Sequence, residues 1–140
     1  MRSEHTRAGL RAWAKGIYPL EAGVELLLRA AGGRFAGPGW PWVRQGTEPG
    51  SWWLDAGQMT ESDFAALSGG ETRLLRVAAS LLDGAPVGLY ENLAGLDRDH
   101  ITLVLAAIAH AAGSHEHSGD PVPDPAGGRL YREVRDLRQH

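Results

Sequence analysis

Apolar residues recur at helical spacing along several stretches of the chain and lose that rhythm in two others. Residues 4–14 are good helix formers, with Leu10 and Trp13 three apart on one face, and Gly16 interrupts them. Pro19 sits where a first helical turn tolerates it, and a second helix is predicted from Pro19 to Ala31. Its apolar stripe is Leu20, Val24, Leu27 and Leu28, and Gly32-Gly33 stop it. Residues 34–59 break the pattern with Gly37-Pro38-Gly39, Trp40-Pro41-Trp42 and Glu48-Pro49-Gly50. An ordered loop is expected there, with two short strands near 41–44 and 52–54. Thr60-Glu61-Ser62-Asp63 and Ser68-Gly69-Gly70-Glu71 both read as capping boxes. The first opens a short helix to Leu67. The second opens a helix that carries Leu74, Leu75, Val77, Ala78, Leu81 and Leu82, and Gly84 closes it.

Residues 86–92 have the length and composition of a short strand. Asp97 then caps a helix to about Ala112, whose apolar face of Ile101, Leu105, Ile108 and Ala112 suits a core helix. Residues 113–128 lose periodicity, and Pro121, Pro123, Pro125 and Gly127-Gly128 mark a linker. An amphipathic helix with Leu130, Val134 and Leu137 is expected over 129–140. The fold class is therefore mainly α: a small helical domain over 4–113 with a tryptophan-rich loop, then a linker and flexible C-terminal arm over 114–140.

Composition narrows the function. With 140 residues, 43% hydrophobic and 22% charged, the chain is long enough to bury a real core and is not globally disordered. A net charge of −3 disfavours a bulk electrostatic clamp on nucleic acid. The lack of cysteine excludes disulfide scaffolds, thiolate metal sites and cysteine nucleophiles. No segment reaches the roughly 18 apolar residues of a membrane helix, and the start, Met1-Arg2-Ser3-Glu4-His5, leads into no signal-peptide core. A cytoplasmic location follows as the expectation. Lys15 is the only lysine against thirteen arginines, which together with the alanine and glycine content points to GC-rich coding. In that respect the chain resembles small actinobacterial proteins, a resemblance that implies no activity.

Leu67-Ser68-Gly69-Gly70-Glu71 resembles the signature motif of ATP-binding-cassette ATPases and their structural-maintenance relatives. The likeness runs over residues 67–97: a helix follows, then Val87-Gly88-Leu89-Tyr90-Glu91 and Ala94-Gly95-Leu96-Asp97, where that family has its Walker B strand and D-loop. The resemblance implies that Ser68, Gly69 and Gly70 hold the γ-phosphate of a nucleotide bound by a partner, with Glu91 at the catalytic glutamate position. Amides at a helix N-terminus are physically suited to an anion. The chain departs from the family in having no G-x-x-x-x-G-K-[ST] loop, Tyr90 in place of the magnesium-linked aspartate, and Asn92 in place of the usual proline. A plain capping role for Ser68 and Glu71 stands beside the phosphate role.

Other candidate chemistry is sparser. His115 and His117, with His110 and Asp120 nearby, are imidazoles that suit zinc or nickel, but they lack the H-E-x-x-H spacing and stand beside a solvated-linker reading. Trp40, Trp42, Trp52 and Trp53, with Arg44 close by, could stack on a nucleobase, a sugar or a proline-rich peptide, or pin an irregular loop to the helices. The residues contain no nucleophile elbow, dinucleotide fingerprint or recognisable carboxylate pair. Arg129, Arg132, Arg135 and Arg138 interleave with Glu133 and Asp136, as on a solvated helix. The expected function is a non-catalytic cytoplasmic interaction or regulatory domain with a protein partner, no cofactor and no membrane contact. Two alternatives accompany it: a signature-like face completing a partner's phosphate-loop site in trans, and a single-stranded nucleic-acid or peptide binder working through the tryptophan loop.

Overall fold

The computed structural model describes residues 2–114 and a two-residue strand pair further on. The chain is mainly α-helical. In order come α1 (Arg2–Ala14), α2 (Tyr18–Arg29), a kinked 3-10 segment (Ala30–Ala36), β1 (Val43–Gln45), β2 (Trp52–Leu54), a 3-10 turn (Ala56–Gln58), α3 (Glu61–Phe64), α4 (Gly69–Asp83), α5 (Leu89–Leu93) and α6 (Arg98–Ala111). The expected linker, arm and terminal helix over 114–140 fall almost wholly outside the described residues. Where they overlap, Val122–Pro123 and Leu130–Tyr131 pair antiparallel, as β3 and β4, so Leu130 lies in a strand rather than the expected helix.

α2 is the centre of the fold. Ala22, Gly23, Val24, Leu26, Leu27 and Leu28 are all buried, so the helix is enclosed on more sides than one apolar stripe would require. α1, α4, α6 and the 3-10 segment all pack on it. The helix ends before Gly32-Gly33: Ala30 is already extended, and Ala31, Gly32 and Gly33 all take left-handed backbone angles, with φ of 50°, 67° and 82°. Two glycines make that reversal accessible, and it turns Phe35 back into the core. β1 and β2 form a hairpin in which Val43 faces Leu54, both buried, and Arg44 faces Trp53. Both capping boxes form. The Ser68 hydroxyl accepts the Glu71 amide at 3.1 Å while the Glu71 carboxylate accepts the Ser68 amide at 2.9 Å. At the start of α3, the Asp63 carboxylate takes both the amide and the hydroxyl of Thr60. Gly84 ends α4 in the left-handed conformation.

Two expectations are corrected. Residues 86–92 are not a strand: the chain has no regular structure up to Gly88 and then turns into α5, held by Asn92 Nδ2 donating to the Gly88 carbonyl at 2.8 Å. The apolar face of α6 is not the core face. Val104, Ala106, Ala107 and His110 point inward, whereas Leu105 is 50% and Ile108 41% exposed. One residue of offset rotates a helical position by roughly 100°, so the two faces are distinct. The inward face carries small residues that let α6 lie close on α2, and His110, which reaches Glu21 there.

This arrangement predicts opposite outcomes for two leucine truncations. Leu74→Ala, at a fully buried site, should cost about 2–5 kcal/mol of stability. Leu105→Ala should change it by about 0.5 kcal/mol or less. Urea unfolding of the two variants reads the difference, and comparable losses would mean that the α6 face is covered.

Candidate functional site

The tryptophan-rich segment divides into a structural half and an open half. Trp42 is completely buried and donates its indole N–H to the Phe35 carbonyl at 2.8 Å. Trp40 stacks on it, with ring centroids 4.7 Å apart and planes 13° from parallel, and donates to the Arg34 carbonyl at 2.8 Å. The Arg34 guanidinium lies over both Phe35 and Trp40. These rings fix the reversal after α2, as a pinning role requires.

Trp52 and Trp53 behave differently. Trp52 lies against Gly9 of α1, and Trp53 pairs across the hairpin with exposed Arg44. Both are half-buried, as is Trp13 on α1. Together with Gly9, Ala12, Pro49, Gly50 and Ser51 they line a groove of about 390 Å³. Gly9 is the notch that seats the hairpin: a methyl there would come within 2.7 Å of both the Gly50 carbonyl oxygen and the Trp52 ring. The groove contains no titratable side chain. The indole N–H groups of Trp13, Trp52 and Trp53 have no hydrogen-bond partner among the described residues. Sequence reasoning identified Trp52 and Trp53 but missed Trp13 and Gly9, because only the seating of the hairpin on α1 brings them together.

The Ser68 segment sits at the other side of the aromatic cluster. Arg34 binds the second oxygen of Glu71 at 2.8 Å, so that carboxylate links the 3-10 segment to the start of α4. The Ser68 amide, aided by Arg34, holds the Glu71 carboxyl below its ordinary range. Ser68 and Gly69 are exposed and Gly70 is half-buried. Arg73 donates to the Glu91 carbonyl at 3.1 Å, which ties α5 to α4. Glu91 is itself exposed, on a helix rather than at a strand end. The structure thus brings Ser68, Gly69 and Gly70 together at one helix start and sets the backbone of Glu91 nearby.

A charged cleft that no sequence motif announced lies between α1 and α2, with α6 at one end. Its volume is about 510 Å³ and its polar lining is Arg11, Lys15, Glu21, Glu25, Arg29 and His110. Glu25 accepts from Arg11 at 2.7 and 3.1 Å and from Arg29 at 3.0 Å. Burial alone would raise its pKa, but the two guanidinium groups outweigh that and hold it below the usual glutamate range. His110 Nε2 meets Glu21 Oε1 at 2.8 Å, and the Gly16 amide donates to Glu21 Oε2 at 2.9 Å. The Glu25–Arg29 pair is an i,i+4 pair and legible as such, whereas Arg11–Glu25 and His110–Glu21 span 14 and 89 residues and depend on the tertiary fold.

His115 and His117 lie outside the described residues. Among those described, no group of three histidine, aspartate or glutamate side chains is placed to hold a metal ion, and no helix is long and apolar enough to cross a membrane. No family model, curated protein or solved structure matches this chain.

The cap at the start of α4 makes a direct prediction. Ser68→Ala should cost about 1 kcal/mol, and Ser68→Asp should be nearly neutral because aspartate caps equally well. Thermal melts test the pair. A Ser68→Ala chain that melts with the wild type would contradict the capping role.

Proposed function

We propose that the chain is a cytoplasmic, non-catalytic interaction domain that receives an extended, proline-rich peptide in the groove between Trp13 and the Trp52–Trp53 strand. The observation that carries this reading is three half-buried tryptophans on one groove, each with an indole N–H that has no partner among the described residues. Indole faces pack on pyrrolidine rings, and indole N–H groups donate to carbonyls. A proline-rich segment is rich in both and poor in competing donors, and its extended conformation loses little entropy on binding. The absence of charge from the described groove lining favours such a ligand over a phosphate backbone.

A second reading is supported by the exposure of Ser68 and Gly69 at the start of a fifteen-residue helix. It is the phosphate contact in trans that the signature resemblance implies. Glu71 occupies the Ser68 amide in the isolated chain, so this reading requires the carboxylate to move aside for a phosphate. A folded Ser68→Asp chain would then lose partner-dependent function through charge repulsion.

The peptide reading is tested by titrating the full chain with octaproline and with a single-stranded oligothymidine, following tryptophan fluorescence. Octaproline should give a saturable change and the oligonucleotide none. Trp53→Ala should weaken peptide binding by about tenfold or more, since base- and ring-stacking tryptophans contribute on the order of 1–3 kcal/mol. Its melting temperature should fall little, because Trp53 lies outside the core cluster. A saturable response to the oligonucleotide alone, or no response to either, would overturn the proposal.

A further inference from the structure

In the cleft between α1 and α2, Arg11 and Lys15 keep donors that no acceptor among the described residues takes. Both oxygens of Glu25 are taken by Arg11 and Arg29, and both oxygens of Glu21 are taken by His110 and the Gly16 amide. By contrast, Arg11 uses only Nε and Nη2 on Glu25, leaving Nη1 without a partner among the described residues. Lys15 is exposed at the mouth and makes no hydrogen bond or ion pair with any of them. Among the described residues that line the cleft, Arg11, Lys15 and Arg29 face Glu21 and Glu25, and the unengaged donors are Arg11 Nη1 and the Lys15 ammonium. Beneath this rim the wall is apolar, formed by Ala14, Val24 and the arginine stems. A space of about 510 Å³ falls within the usual size of a small-molecule site.

We propose that this cleft binds a small organic carboxylate, with the Lys15 ammonium and Arg11 Nη1 as its charged contacts. Glu25 has a positioning role: its two-oxygen grip on Arg11 holds the guanidinium so that Nη1 is the donor left to the cleft. Glu21 positions His110 at the inner end in the same way. The site lies apart from the tryptophan groove and does not depend on the peptide reading.

The test is a titration of the ¹⁵N-labelled full chain with sodium succinate, with succinamide as the uncharged counterpart and sodium chloride holding the ionic strength constant. Succinate should produce saturable amide shifts centred on Lys15, Gly16 and Val24, and succinamide should not. Lys15→Gln, at an exposed side chain without a partner among the described residues, should weaken binding by about tenfold, the loss expected for one hydrogen bond to a charged group. Lys15→Arg should retain most of the affinity. Equal shifts with succinamide, shifts mapping to other surfaces, no saturable shift, or unchanged affinity in Lys15→Gln would each overturn the assignment.

Discussion

The close approach of α2 to α4 at Gly23 is the constraint on which the rest of this structure depends. Gly23 is buried, and a methyl group added to it would lie 2.7 Å from Leu82 Cδ2 and 2.8 Å from Leu82 Cγ. The absent side chain lets Leu82 rest directly on the α2 backbone. A glycine inside a helix costs about 0.5–1 kcal/mol relative to alanine, and here the burial of Leu82 offsets that cost. With α4 seated so closely, α2 is enclosed by α1, α4, α6 and the 3-10 segment. The resulting core is one continuous cluster that runs from Leu10 through Phe35, Trp42 and Leu54 to Leu75 and Val104.

The two candidate binding surfaces follow from how α1 lies on that core. Thr6, Leu10 and Ala14, four apart, form its buried stripe. Gly9, Ala12 and Trp13 lie on one flank and line the aromatic groove, while Arg11 and Lys15 lie on the other and line the charged cleft. One short helix is thus a shared wall, with an uncharged, donor-bearing surface on one side and a charged cleft on the other. Rigid-body displacement of α1 would deform both. Function on either surface consequently rests on the same packing that stabilises the fold.

The helical fold was largely legible in the sequence because its signals are local. Capping boxes at Thr60 and Ser68, the Asp97 cap and the Gly84 stop act within four residues, and each forms as read. The two short strands were legible from proline and glycine breaks around tryptophan pairs, whereas their pairing as a hairpin was not. The α6 face was misread because a hydrophobic stripe shows which residues are apolar, not which side a neighbour will cover. Close contact with α2 selected Val104, Ala107 and His110 over the bulkier Leu105 and Ile108. Residues 86–92 were misread because a short apolar run does not separate strand from helix. The charged cleft was invisible for a different reason: its deciding contacts join α1 to α2 and α2 to α6, and no residue pattern within either helix encodes the partner.

The central claim, that a single core built around α2 holds the helices and the tryptophan hairpin together, is most directly tested with Gly23→Val. Urea unfolding would be followed both by far-ultraviolet circular dichroism, which reports the helices, and by tryptophan fluorescence, which reports the hairpin. Overpacking at this site should destabilise the chain by about 1–3 kcal/mol. The account predicts that both signals move to the same lower urea midpoint and remain coincident. A Gly23→Val chain that unfolds like the wild type, or one whose helical signal shifts while the tryptophan transition stays in place, would contradict it.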